Sequence, residues 1–230
     1  MSVAHRFWAA ESRTSLSSLR GVWRRAARHP RLARFVKECW ERTAALVTLV
    51  VIAPLLVAMV VVIRLESPGA AVFRQTRIGR DHRPFTMYKL RTMSVAAEAQ
   101  RDELLAINDA DGPLFKVRDD PRVTRLGRLL RRYSIDELPQ LINVVLGQMS
   151  LVGPRPPLPD EASAYEPHVR RRQSVKPGLT GLWQVSGRSD LPWDEGVRLD
   201  LAYVDTWSLT QDFQILRRTA AAVIRHLGAY

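Results

Sequence analysis

Two carboxylates, Asp136 and Glu137, stand side by side in "RRYSIDELPQLINVVLGQMSLVGPRPP", between an arginine-rich segment and a helical apolar pattern. Adjacent residues in a helical turn point about 100° apart, so the pair can divide two tasks, such as nucleophile and metal ligand. With Ser134 as N-cap, Glu137 completes a capping box, but Pro139 then deprives the helix of a bond. With Asp136 as N-cap, Pro139 falls where its missing N–H removes nothing. Both registers stay open, and two capping acids without chemistry are the plain alternative. In either register the positive helix end and nearby arginines are expected to keep both groups ionised. That points away from a general acid. Glycoside hydrolysis fits poorly, because it needs carboxylates about 5 to 9.5 Å apart across a sugar, one of them protonated.

Arg155 is pinned between Pro154 and Pro156 and offers a rigid fork for phosphate oxygens, with a surface arginine in a turn as the alternative. In "DPRVTRLGRLLRRYS", Val123, Leu126, Leu130 and Tyr133 form an apolar stripe, and Arg122, Arg125, Arg128, Arg131 and Arg132 fill much of the rest. A helix with that division suits the plane of an anionic membrane or a phosphate-bearing ligand.

The elements that must hold these groups can be outlined. Residues 44–63, "AALVTLVVIAPLLVAMVVVI", contain one polar side chain, Thr48, and no charge, which is the length and composition of a membrane helix. Residues 1–43 carry ten Arg or Lys against three acids, and the far flank is also basic. Positive charge on both flanks favours the cytoplasmic face for both. Pro54 near the middle breaks one helical hydrogen bond and is expected to bend the helix. A re-entrant segment satisfies both features, with a kinked span as the alternative. After the turn at Ser67-Pro68-Gly69, strands over 71–78 and 85–90 are expected to form a hairpin. A helix is expected over 94–107 with Ser94 as N-cap. Another is expected through "ELPQLINVVLG", with Leu138, Leu141, Ile142 and Val145 on one face. Residues 150–181 read as loop-rich, a short strand is expected around 182–185, and two helices close the chain.

The totals are consistent with this. The chain has 230 residues, a net charge of +12 and one cysteine, Cys39. That is enough for one core, favours polyanionic partners, and excludes an internal disulfide framework or a thiolate zinc cluster.

The sequence resembles the bacterial sugar transferases of the monotopic phosphoglycosyl transferase type. The matching pieces are "SPGAAVFRQTRIG", "FTMYKLRTM", "DPRVTRLGRLLRRYSIDELPQLINVVLGQMSLVGPRP", "VKPGLTGLWQVSGR" and "LDLAYVDTWSLTQDFQIL". The resemblance implies a mixed α/β, mostly helical fold with a small β hairpin, amphipathic interfacial helices and a Pro-bent re-entrant membrane helix. It divides the chain into a basic tail (1–34, with disorder an open option), a membrane-associated helix (35–66) and a cytoplasmic catalytic domain (67–230). It implies transfer of a hexose-1-phosphate, glucose or galactose, from a UDP-sugar to polyprenyl phosphate. UMP is released, Mg²⁺ is the cofactor, and the product starts an exopolysaccharide, capsule or O-antigen.

By the same resemblance Asp136 is the nucleophile, Glu137 the metal ligand, and Lys89, Arg91, Arg131 and Arg155 bind substrate phosphate. Gln184 and Arg188 are weaker nucleotide or sugar contacts, and Pro54 marks the membrane-helix bend. The expected location is the cytoplasmic face of the bacterial inner membrane, with anionic lipids as partners, no nucleic acid, and a homodimer left open. The rivals are a membrane-tethered basic nucleic-acid-binding protein and a non-enzymatic scaffold of a glycan-assembly complex. Neither needs the two carboxylates.

Overall fold

The computed structural model describes residues 30–97, 99–100, 103–104, 112–114, 117, 120–187 and 191–224. Residues 1–29 of the expected tail and Arg188 lie outside them. Helix α1, Pro30–Glu66, has 37 residues, about 55 Å at 1.5 Å per residue. A single stripe of it (Ala33, Lys37, Glu41, Ala45, Leu49, Ile52, Leu56, Val60 and Ile63) is turned toward the rest of the protein. Steps of three and four residues keep these positions on one face. The opposite face leaves Leu46, Val47, Val50, Val51, Leu55, Val57, Val61 and Val62 exposed. Such a surface calls for lipid. Among the described residues α1 is the one helix long and apolar enough to cross a membrane. Pro54 lies on the outer face, and the helix continues through it.

Both ends of α1 are fastened to the same body. At the start, Lys37 pairs with Asp212, Glu38 with Lys176, and Glu41 accepts from Ser150. At the end, Glu66 accepts from the Thr124 hydroxyl and the Leu126 N–H, while Arg91 donates to the Ile63, Ser67 and Pro68 carbonyls.

Strands β1 (Val72–Ile78) and β2 (Pro84–Leu90) form the expected antiparallel hairpin, with Val72 opposite Leu90 and Ile78 opposite Pro84. Between them Asp81 and His82 take left-handed φ of 56° and 59° in a tight 3-10 turn, Arg80–His82. Alternation places Phe85, Met87 and Lys89 on one face of β2. Phe85 and Met87 pack with Ala45, Leu141, Val144 and Met149. Helix α2 spans Arg125–Arg132, capped by the Thr124 hydroxyl accepting from the Gly127 N–H. Helix α3 spans Gln140–Val145. Asn143, fully buried, locks α3 to the open edge of β2: it donates to the Thr86 carbonyl at 2.7 Å and accepts from the Tyr88 N–H at 3.2 Å.

Strand β3 (Ser150–Val152) pairs in parallel with β4 (Gly178–Thr180). The proline-rich connection holds short helices α4 (Pro159–Ser163) and α5 (Pro167–Arg170), each with proline in its first turn, where its missing N–H is harmless. Helices α6 (Leu182–Ser186), α7 (Trp193–Thr206) and α8 (Leu209–Ile224) complete the body. Val152, Leu182, Trp183, Leu199, Tyr203 and Ile215 form its core.

Four local expectations change. The strand around 182–185 is helix α6. The strand position is taken by Gly178–Thr180, where Gly178 lies so close to Gly153 that an added Cβ would fall 2.1 Å from the Gly153 nitrogen. Residues 95–97, 99 and 100 form turns rather than a helix. Here the buried Arg122 guanidinium takes the Ala97 carbonyl and pairs with Asp120, so tertiary contacts override helix propensity. The rest of that expected helix is described only at 103–104, as a 3-10 turn.

Val123 precedes α2 and bridges to Met93, so neither Val123 nor buried Arg122 belongs to the outer face of that helix. That face presents Arg125, Arg128 and Arg132 beside exposed Leu129 and Tyr133, the mixture suited to an anionic interface. On α3 the buried face is Gln140, Leu141, Asn143 and Val144, while Ile142 is exposed.

Candidate active site

The Asp136-Glu137 pair takes the Ser134 register in position only, in a 3-10 turn whose N-cap side chain makes no bond. Ser134, at φ 55°, ends α2 in a left-handed conformation and caps nothing with its side chain. Its N–H donates to the Arg131 carbonyl at 2.9 Å. A 3-10 turn, Ile135–Glu137, follows, and successive i to i+3 bonds carry the chain into α3. Pro139 sits just before Gln140, where its missing N–H breaks no helical bond. The reversal at Ser134 sets the turn at the end of the β2 face that carries Lys89.

Asp136 is buried and Glu137 half exposed. Lys89 Nζ donates to Glu137 Oε1 at 2.8 Å. Arg131 stands beside them, its Nε donating to Thr92 Oγ1 at 3.0 Å. Burial and the neighbouring Glu137 charge raise the Asp136 carboxyl to about 6, with Lys89 and Arg131 pulling it back. The helix end and arginines, expected to favour the ionised form of both acids, do not keep Asp136 from rising. Desolvation outweighs the cations. At neutral pH the group is still mainly a carboxylate, but a desolvated one, which is a better nucleophile than one in water. Burial also lowers Arg131, and Asp136 and Asp120 oppose that shift.

Arg155 lies within electrostatic reach of Arg77, as Glu137 does. Buried Glu161 holds it, accepting from Arg155 Nη1 at 3.1 Å and from the Leu158 N–H at 2.9 Å. Burial pushes the Glu161 carboxyl up, but Arg155, the Leu158 N–H and Arg77 together hold it below its ordinary value. Arg77 donates to the Pro156 carbonyl at 3.1 Å and to Gln75. Its own value falls to about 10 through burial and Arg155, offset in part by Glu161 and Glu137. Arg77 thus lies within electrostatic reach of both the Arg155 loop and the carboxylate turn.

The structure brings Asp136, Glu137, Lys89 and Arg131 together. It does not bring Arg91, whose guanidinium clasps the carbonyls at the end of α1. Gln184 stands half-buried on α6 with its amide oxygen beside Gly181. Trp183 and Trp193 crowd, with Tyr165, around Arg172, whose centre lies 5.4–5.5 Å from each ring. Arg172 pairs with buried Asp200 at 2.6 Å. These aromatic residues pack structure. A cavity of about 640 Å³ opens beside Tyr165, Trp193 and Val197, and none of the site residues lines it.

Sequence reading missed Arg77, Glu161 and Asn143. Arg77 and Glu161 each carry an ordinary surface-residue signature, and only the fold buries them. For a divalent metal, the described residues contain no group of three or more acidic, His or Cys ligands. Asp136 and Glu137 still supply the one or two carboxylates that Mg²⁺ takes when substrate phosphates and water complete its shell. The donor set fits that ion.

The buried carboxylate beside Lys89 and Arg131 and the long helix with an exposed apolar face lie within the part of the chain that known proteins match. Residues 32–226 match the family model for bacterial sugar transferases, and the chain belongs to that family. It is 45% identical over 194 residues to the galactosyl transferase CpsE of Streptococcus agalactiae, covering 84% of this chain and 43% of CpsE. It is 43% identical over 204 residues to the UDP-glucose:undecaprenyl-phosphate glucose-1-phosphate transferase of Caulobacter vibrioides, covering 84% of this chain and 72% of that protein. To the exopolysaccharide production protein ExoY of Rhizobium meliloti it is 37% identical over 198 residues, 84% of this chain and 88% of that one. The chain thus spans less than half of the length of CpsE and most of ExoY.

Proposed function

We propose that the chain transfers a hexose-1-phosphate, glucose or galactose, from a UDP-sugar to polyprenyl (undecaprenyl) phosphate, releasing UMP. The observation that carries this reading is Asp136, a buried carboxylate held beside Lys89, Arg131 and Glu137. The names of the Caulobacter and Streptococcus relatives support the substrate class.

A carboxylate oxygen of Asp136 attacks the sugar-bearing phosphorus. The bond from that phosphorus to the UMP oxygen breaks, and UMP leaves with the electron pair. An oxygen of polyprenyl phosphate then attacks the same phosphorus, the bond to Asp136 breaks, and the carboxylate is restored. Lys89, Arg131 and Arg155 would offset the charge on the phosphates during both displacements. Mg²⁺ held by Glu137 and Asp136 would supply further neutralisation of phosphate charge. Glu137, with its solvent-open side, is the better placed ligand.

Membrane association follows from α1 and the family. The topology we propose is monotopic and re-entrant, with entry and exit on the cytoplasmic face and the catalytic domain there. Attachment of both ends of α1 to one body supports this, as does the positive charge on both flanks.

The test is incubation with a panel of nucleotide sugars, Mg²⁺ and polyprenyl phosphate while nucleoside monophosphate release is followed. UMP release with one hexose and its loss in Asp136→Asn are expected. Full turnover by that variant overturns the Asp136 mechanism, and no release from any sugar by the wild-type chain leaves the scaffold alternative.

A further inference from the structure

Strand β3 leads directly into Gly153-Pro154-Arg155-Pro156, and its polar groups are held by side chains from the start of the membrane helix. Glu41 accepts from the Ser150 hydroxyl and, at 3.4 Å, from the Val152 N–H. Lys37 donates to the Val152 carbonyl at 3.2 Å, as does the Tyr203 hydroxyl at 2.9 Å. Lys37 is itself fixed by Glu41 and Asp212, each at 2.7 Å. Asp212 also accepts from Tyr203 at 2.8 Å and Trp207 at 3.0 Å. Every carboxylate oxygen of Glu41 and Asp212 has a donor, and these two groups are 2% and 0% exposed.

Burying two carboxylates, with a partly buried ammonium between them, carries a desolvation penalty that ion pairing rarely exceeds. Here the charges grip the backbone. Beyond Val152 the chain is held residue by residue. The Gly153 N–H donates to Thr180, the Pro154 carbonyl accepts from Gly178, and the Pro157 carbonyl accepts from Ile78. Arg155 therefore projects from a rail whose first anchor is α1.

We propose that Lys37 and Glu41 are positioning residues for Arg155. Seated against the body, α1 sets β3, and β3 sets the guanidinium that receives substrate phosphate. This rests on the phosphate-binding role proposed for Arg155. It makes correct docking of the membrane helix a condition of substrate binding.

The test uses the full chain in lipid nanodiscs, with Glu41→Gln and the milder Ser150→Ala, which removes one donor and covers any failure of the first to fold. KM for the UDP-sugar is expected to rise about tenfold in Glu41→Gln and about threefold in Ser150→Ala, with kcat changed less than about threefold. Adding Glu41→Gln to Arg155→Ala is expected to lower kcat/KM no further than Arg155→Ala alone, because coupled residues are not additive. Lys37→Arg, which keeps the charge, is expected to retain more affinity than Lys37→Met. A lowered unfolding temperature with unchanged KM, or losses that add fully, overturns the proposal.

If the wild-type chain releases no UMP from any sugar, the transferase reading fails while the positional link stays testable. Amide exchange over 153–158 is then expected to quicken in Glu41→Gln and Ser150→Ala more than elsewhere. An unchanged rate there overturns the link.

Discussion

Lys89 Nζ and Glu137 Oε1, 2.8 Å apart, join the end of the hairpin to the turn that carries both acids. The pair acts on a third group. Lys89 draws the Asp136 carboxyl down and Glu137 pushes it up, while burial, the largest influence, raises it to about 6.

The first prediction concerns pH. If ionised Asp136 attacks phosphorus, kcat/KM falls on the acid side with a midpoint near the Asp136 value of about 6. Lys89→Met removes a charge that lowers Asp136, so the acid limb moves to higher pH. Glu137→Gln removes a charge that raises it, so the limb of its residual activity moves to lower pH. Rate profiles for the three proteins between about pH 5 and pH 9 check both directions. Coincident limbs would separate Asp136 from the titration.

The same shift predicts stability. An unfolded aspartate titrates near about 3.9, well below the folded group. The folded state thus binds the proton more tightly, and this contribution is fully present below about pH 4 and lost as pH rises through about 6. At neutral pH the buried carboxylate is a burden on the fold. Asp136→Asn is expected to raise the unfolding free energy by about 1–3 kcal/mol near neutral pH and to change it little near pH 4. Denaturant unfolding at the two pH values measures the difference.

The sequence made the hairpin, the membrane helix and the closing helices legible because their patterns are local. Alternation wrote β1 and β2, and an uninterrupted apolar run wrote α1. The adjacency of Asp136 and Glu137 was also plain, but their environment was not. Ser134 in a left-handed conformation moves the pair out of a helix start and into a 3-10 turn, and no propensity marks a serine for that. Burial then raises Asp136 against the pull of its neighbouring cations. Glu161 and Asn143 act through partners 6 and more than 50 residues away, so their roles exist only once the chain has folded. Arg91 sits two residues from Lys89 in a basic motif, yet its guanidinium clasps the end of α1 and not the Asp136-Glu137 turn.

That separation predicts different outcomes for the two cations. Arg91→Ala removes four hydrogen bonds that hold the Ile63–Pro68 segment, with an expected loss of about 2–3 kcal/mol and faster proteolysis near Gly69. Its effect on KM for the nucleotide sugar is expected to be smaller than that of Lys89→Ala. Steady-state kinetics and limited proteolysis of both variants decide this. A larger KM effect from Arg91→Ala would return that residue to phosphate binding.

The closest backbone approach at the site yields the last prediction. Gly127 on α2 lies against Thr92, and a Cβ there would fall 2.0 Å from the Thr92 carbonyl oxygen and 2.8 Å from its carbon. The obstacle is backbone that also accepts the Thr124 N–H at 3.0 Å, so it has little freedom to yield. Gly127→Ala must push α2 away from this segment and stretch the bond from Arg131 to the Thr92 hydroxyl. The expected destabilisation is about 2–4 kcal/mol, although alanine is the better helix former. The displaced Arg131 guanidinium is expected to lower kcat/KM by about tenfold or more in whatever fraction stays folded. Thermal unfolding and kinetics of Gly127→Ala, beside Arg125→Ala on the exposed face of the same helix, test both parts. An unaltered unfolding temperature in Gly127→Ala would mean that α2 does not pack on Thr92 as described.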